Sequence, residues 1–213
     1  MRLPSPKPPR PLVAKVGGSL AGSPELTAWL AALDRYQGPL VLVPGGGAFA
    51  DTVRSMQTKM RFGDAAAHDM ALLAMRQYAL ALAALWPRLS CVGSLAAVRR
   101  ALRTNKIACW APDPETLDAA LPRSWNVTSD TLSAWLAGEL RIKKLLLIKS
   151  ADVGSKLHIG LGELKRAKML DAAFAQFGAA SGAEIFVAGP GWLNSAATLL
   201  AQGQVPGARL RLP

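Results

Sequence analysis

Short apolar runs alternate with helical stretches from Leu12 onward, and this alternation limits the folds open to the chain more than any other feature. The runs LVAKV, LVLVP, KKLLLIKS and AEIFVAGPG are continuous rather than alternating, as strands buried on both faces require. RLSCVG and KIACWA read as two further strands. Between them the sequence predicts helices at about 24–36, 48–59, 64–86, 94–103, 129–140, 171–180 and 192–202. The first opens on Ser23-Pro24-Glu25, with a capping serine, a proline at the first position and an early acid. Strand and helix in repeated alternation imply an α/β fold, an open and mainly parallel sheet sandwiched between helices. Residues 151–162 read as a polar, glycine-containing loop. Residues 1–11 hold five prolines and three basic residues and read as a flexible basic arm before a single domain over 12–213. There are no internal repeats.

Composition narrows the function. A hydrophobic share of 51% supports a substantial core, and a formal charge of +11 calls for an anionic partner. Residues 141–168 carry eight Lys/Arg against two acids but no Phe, Trp or Tyr, so the aromatic platforms that stack single-stranded bases are missing there. A positive funnel for small phosphorylated molecules accounts for the charge, and no nucleic-acid partner is expected. The longest apolar region, 70–86, is interrupted by Arg76 and Gln77 and is short for a membrane span. With a proline-rich rather than apolar start, the expectation is a soluble cytoplasmic protein with no membrane partner. Cys91 and Cys109 lie in apolar runs without metal-ligand spacing and read as reduced core residues, and no metal-ligating residues are assigned.

In sheets of this kind ligands bind beyond the carboxyl ends of the strands. Three strand ends are shaped for it: Lys15-Val16-Gly17-Gly18-Ser19, Pro44-Gly45-Gly46-Gly47 and Lys149-Ser150-Ala151-Asp152. A lysine inside an apolar strand has little use unless it is delivered to an anion. Glycines bring backbone N–H groups close to one, and a following helix start adds a favourable dipole. Two glycine turns about thirty residues apart, each opening a helix, predict two facing anion sites. Neither matches the P-loop, and the dinucleotide G-x-G-x-x-G pattern is absent.

The segments KVGGSL, LVPGGGAFADTVR, WNVTSDTLSAWLA and LLLIKSADV, in this order, resemble the amino acid kinase superfamily over nearly the whole chain from Leu12. GDAAAHDMALLAMRQY with WNVTSD resembles a smaller branch that includes the kinase of methanofuran biosynthesis, which phosphorylates an aminomethylfuran-methyl phosphate to the diphosphate. The resemblance implies ATP with Mg2+ and roles at matching positions. Lys15 would bridge donor and acceptor phosphates, and Gly17 and Gly18 would offer backbone N–H groups to the nucleotide. Gly45, Gly46 and Gly47 would line the acceptor site. Asp130 would orient the lysines, and Lys149 with Ser150 and Asp152 would hold the nucleotide. The acceptor would take the part at about 12–125 and ATP the part at about 126–213. The chain departs from the family where Asp152-Val153-Gly154 replaces an Asp-Gly turn. It departs again where GLGELKRAKM replaces a glycine-rich, lysine-containing segment, leaving Lys165 and Lys168 as candidates for its lysine.

Plain structural roles compete with these. Asp130 suits the first turn of any helix. His68 reads first as a surface or dimer-contact residue and second as an acceptor-site residue. Arg54 reads equally as a solvated arginine or a clamp on the acceptor phosphate. Ser129 reads as a cap before a substrate contact. The 64–86 helix is apolar on more than one face, as Leu72, Leu73, Met75, Leu80 and Leu82 show, which predicts a homodimer contact. The function expected is transfer of a phosphoryl group from ATP to a small phosphomonoester. The alternatives are a kinase of another carboxylate or phosphate acceptor, a non-catalytic ATP- or anion-binding protein of the same fold, and a basic nucleic-acid-binding protein.

Overall fold

The computed structural model describes residues 9–104, 106–117, 121–154 and 156–212. Most of the predicted arm lies outside them. At its end the Tyr36 hydroxyl donates to the Arg10 carbonyl, so residue 10 is already tied to the body of the protein.

Eight strands form one sheet: β1 (Leu12–Val16), β2 (Leu40–Pro44), β3 (Leu89–Val92), β4 (Ile107–Trp110), β5 (Lys144–Ile148), β6 (His158–Gly160), β7 (Glu184–Ala188) and β8 (Ala208–Arg211). Their order is β3-β4-β2-β1-β5-β7-β8-β6. All neighbours are parallel except β7 and β8. The helices are α1 (Pro24–Asp34), α2 (Gly47–Met60), α3 (Asp64–Leu85), α4 (Leu95–Arg103), α5 (Ser129–Glu139), α6 (Leu161–Arg166), α7 (Phe174–Ser181) and α8 (Leu193–Ala201).

The stretch read as a loop over 151–162 contains β6 and the start of α6, and β8 was not foreseen. Both strands are short and lie at one margin of the sheet, where β6 pairs only with β8. A three-residue strand carries too little pattern to be recognised before its partner is known. Cys109 is buried as expected, but Cys91 is exposed on the marginal strand β3.

The central strands bury both faces, and their side-chain alternation divides the core. Leu12, Ala14 and Val16 of β1, with Leu146 and Ile148 of β5, pack in one cluster with α1 residues Trp29, Leu30 and Leu33 and α8 residues Ala196 and Leu200. Val13 of β1, with Leu145 and Leu147 of β5, packs in the other with Leu132 and Leu136 of α5 and Leu72 and Met75 of α3. Lys15 shares the face of Val13 and is paired in register with Leu147, so Lys149, two residues further along β5, emerges on the same face. The helix packed there is α5. The alternation that builds the core therefore points both lysines at the start of α5. Between β1 and β5 the chain reverses its direction of travel across the sheet, the switch point at which open α/β sheets place ligands.

Candidate active site

Asp130 lies in the first turn of α5 and receives both lysines. The Lys15 Nζ is 2.9 Å from its Oδ1 as an ion pair. The Lys149 Nζ donates to its Oδ2 at 2.6 Å and to the Met169 carbonyl at 2.6 Å. All three side chains are at most 10% exposed. Burial pushes the Asp130 carboxyl up, but the ammonium groups of Lys149 and Lys15 outweigh it and hold the carboxyl down at about 2. Burial pulls the Lys149 ammonium down to about 8, the charge of Lys15 adds to the fall, and Asp130 opposes it. The cluster carries two cations and one anion in a dry setting, leaving one net positive charge at the strand ends. An arrangement of this kind is poised for a polyanion rather than for structural stability, since buried ion pairs seldom add stability over apolar packing.

The two glycine turns, from which the sequence predicts two facing anion sites, pack backbone against backbone. A Cβ on Gly18 would lie 2.1 Å from the Gly47 nitrogen, and one on Gly45 would lie 2.3 Å from the Gly18 nitrogen. Two of the backbone donors assigned from sequence are already committed: the Gly17 N–H donates to the Ile148 carbonyl at 3.0 Å and the Gly45 N–H to the Val16 carbonyl at 2.8 Å. Both extend the sheet. Gly18 at its own turn, and Gly46 and Gly47 at the N-terminus of α2, are left to present backbone to a ligand. Gly47 adopts a φ of +54°, a conformation that favours glycine. The Ser19 and Ser150 hydroxyls meet at 2.7 Å and join the ends of β1 and β5.

Beside the ionic cluster opens a cavity of about 280 Å³. Gly45, Gly46, Gly47, Arg54, His68 and Ser129, the six residues assigned to substrate from the sequence, all line it. Gly18 reaches it as well, and Leu72, Met75 and Trp125 form apolar wall. Arg54 is half exposed, pairs with Asp51 at 3.0 Å and stands 4.2 Å from the centroid of the Trp125 ring. His68 is buried, which corrects the surface reading: its Nδ1 lies 3.2 Å from the Ser124 carbonyl, so this nitrogen carries the proton. Burial lowers the His68 pKa, with the Ser124 carbonyl opposing. Its buried Nε2 has no hydrogen-bond partner among the described residues.

Other assigned positions stand apart from this cavity. Asp152 turns back on its own chain, accepting from the Gly154 N–H at 3.0 Å. Lys168 is exposed just after α6 with a φ of +52°, and Lys165 is exposed in the last turn of that helix. Neither lysine reaches the ionic cluster.

Two residues escaped the sequence reading. Trp125 sits within the segment WNVTSD, yet only the fold lays its ring under Arg54. Asp171 lies forty-one residues after Asp130, and no local pattern links the two. Its carboxylate accepts the N–H groups of Thr128 and Thr131 at 3.0 and 3.1 Å, the Thr128 hydroxyl at 2.7 Å and the Thr131 hydroxyl.

A mainly parallel sheet with two lysines converging on a helix-borne aspartate, beside a glycine-lined cavity, defines a phosphotransferase type of site. The profile of the amino acid kinase family matches residues 10–153, and the chain belongs to that family. Over 143 residues it is 26% identical to (5-(aminomethyl)furan-3-yl)methyl phosphate kinase of Methanocaldococcus jannaschii, a match that spans 66% of this chain and 66% of the relative. The fold is similar to that of the uridylate kinase of Archaeoglobus fulgidus, with a TM-score of 0.71 at 14% identity over 94% of this chain and 99% of that one. It is also similar to the aspartate kinase of Synechocystis, with a TM-score of 0.67 at 15% identity over 95% of this chain and 40% of that one.

Proposed function

We propose that the protein transfers the γ-phosphoryl group of ATP to a small phosphomonoester, giving ADP and a diphosphate, and that the acceptor is a furan-methyl phosphate of methanofuran-type cofactor synthesis. The observation that carries this reading is the convergence of Lys15 and Lys149 on Asp130 at the edge of the glycine-lined cavity. The identity to the aminomethylfuran-methyl phosphate kinase supports the choice of acceptor.

In this mechanism an acceptor phosphate oxygen attacks the γ-phosphorus. The new P–O bond forms as the bond to the bridging β-oxygen breaks and ADP leaves. Such transfers depend on positioning and charge neutralisation more than on covalent help. Two anions must approach each other, and Lys15 offsets their repulsion between donor and acceptor. Lys149 takes the nucleotide phosphates from the β5 side, with Ser150, Asp152 and Lys168 beyond it. Asp130 fixes the two ammonium groups. The amides of Gly18, Gly46 and Gly47 hold the acceptor phosphate, with Ser129, Arg54 and His68 around its body. Residues of about 12–125, joined by Ser129, thus serve the acceptor, and the rest of about 126–213 the nucleotide. No group of three or more acidic, His or Cys side chains suited to a metal occurs among the described residues, and Asp130 is occupied by the lysines. The chain therefore fits a magnesium ion carried by the nucleotide phosphates, where it neutralises their charge.

The protein works as a homodimer in this reading. Leu72, Met75 and Leu82 of α3 are buried in the core, whereas Met70, Leu73, Leu80 and Leu85 are 39–60% exposed and form a second apolar stripe. A monomer in light scattering at micromolar concentration would remove this part. No helix among the described residues is long and apolar enough to cross a membrane. The decisive test incubates the protein with Mg-ATP and a panel of phosphomonoesters and carboxylates and identifies products by mass spectrometry. The expected product is a diphosphate from the furan-methyl phosphate. ATP turnover confined to carboxylate acceptors would overturn the assignment.

A further inference from the structure

The segment from Met169 to Asp171 braces the ionic cluster from outside it. The Met169 carbonyl accepts from the Lys149 ammonium at 2.6 Å. Two residues on, the Asp171 carboxylate covers the start of α5. Thr128, at the N-cap position, makes no capping bond with its own side chain. Asp171 takes over that duty from a distant part of the chain, with one oxygen accepting the N–H groups of Thr128 and Thr131 and the Thr128 hydroxyl, and the other accepting the Thr131 hydroxyl. Burial and the neighbouring Asp130 push the Asp171 carboxyl up, and the four donors on its two oxygens oppose that by favouring the carboxylate. Asp130 lies between the two clamped threonines, so the clamp fixes the turn that carries it.

The charged groups facing Lys149 are Asp130 from α5, Lys15 from β1 and Asp171. Asp171 touches neither lysine through a hydrogen bond among the described residues, so it acts on them through α5 and through its field. We propose that Asp171 is the positioning residue of the site: it clamps the first turn of α5 so that Asp130 stands between the two lysines. The inference rests on the kinase reading for its effect on turnover, but not for its effect on Lys149.

Two substitutions separate the clamp from the charge. Asp171→Asn removes the charge and weakens the clamp. Thr131→Val removes one hydroxyl arm and leaves the charge in place. Lys149 is followed by carbon NMR of labelled lysine, assigned with Lys149→Arg, while kcat and KM are measured across pH with Mg-ATP and the best phosphomonoester acceptor. For Asp171→Asn the expected result is a fall in kcat of about tenfold or more, since a charged hydrogen-bonding partner is lost, with a smaller change in acceptor KM. The Lys149 titration midpoint, and with it the alkaline limb of turnover, moves to lower pH. Thr131→Val is expected to lower kcat severalfold with a smaller fall in the Lys149 midpoint than Asp171→Asn gives, since only the hold on Asp130 is loosened. Asp171→Glu restores the midpoint in part. A Lys149 midpoint unchanged in folded Asp171→Asn overturns the proposal, and so does a kcat within twofold of the wild type. Should Asp171→Asn fail to fold, an unaltered kcat in Thr131→Val overturns it. A wild-type protein without turnover refutes the kinase reading, and the Lys149 midpoint still decides this one.

Discussion

The ionic cluster and the cavity beside it hold charges of the same kinds under opposite conditions. Lys15, Asp130 and Lys149 are at most 10% exposed, whereas the Arg54 and Asp51 side chains on the cavity wall are 52% and 72% exposed. In the cluster, removal from water lowers the Lys149 pKa and leaves the two ammonium groups strong enough at short range to hold the Asp130 carboxyl down. On the wall, solvent screens the pair, and exposed pairs contribute little. A charged residue near a site is therefore informative about chemistry in proportion to how dry it is kept. The wall's contribution is shape, and the cluster's is electrostatic.

The largest effect expected comes from shape. Gly46→Val abolishes acceptor use and spares nucleotide binding. A Cβ there lies 2.4 Å from the Ala50 Cβ, so the first turn of α2 must move and the cavity fills. The φ of −85° at Gly46 is ordinary, so the effect comes from crowding and not from backbone strain. Turnover with a parallel nucleotide titration checks this. Lost ATP affinity with acceptor affinity kept would show that the two halves of the site are reversed.

Next in size, Lys15→Ala lowers turnover by roughly 10² to 10³, the usual scale for one preorganised charge at a transferring group. Steady-state kinetics with circular dichroism to verify folding decide it. Near wild-type turnover would remove the cluster from the mechanism.

The pH dependence comes third. Lys149 must be an ammonium to hold phosphate, and burial places its titration at about 8. Turnover should hold below that pH and fall about tenfold per unit above it. Asp130, titrating at about 2, contributes no acid limb near neutrality. A rate that rises through pH 9 would contradict the requirement for the Lys149 ammonium.

The smallest effect is on the wall. Arg54→Ala raises acceptor KM by about two- to fivefold and leaves kcat nearly unchanged, because an exposed ion pair and an exposed cation–π contact are each worth about 1 kcal/mol or less. A loss as large as that of Lys15→Ala would erase the contrast between the two regions.

Much of this was legible in the sequence. Buried parallel strands announce themselves as unbroken apolar runs, and the glycine turns and the lysine of β1 stand out because neither suits a purely structural strand. Helix α3 was recognisable to within a residue from its length and apolar content. The margin was not legible: β6 and β8 are three and four residues long and become strands only by pairing with each other and with β7. The commitment of the Gly17 and Gly45 amides to the sheet was equally hidden, since it depends on which strand lies alongside.

The sequence by itself determined which residues form the central strands, which strand ends carry the lysines, and where backbone without side chains was required. These follow from periodicity and steric size, which act within a few residues. The tertiary structure alone decided that Lys15 and Lys149 meet one aspartate, that Trp125 lies under Arg54, and that Asp171 caps a helix forty residues earlier. Such contacts depend on strand order and helix packing, which bring together groups whose spacing along the chain carries no energetic signature of their meeting.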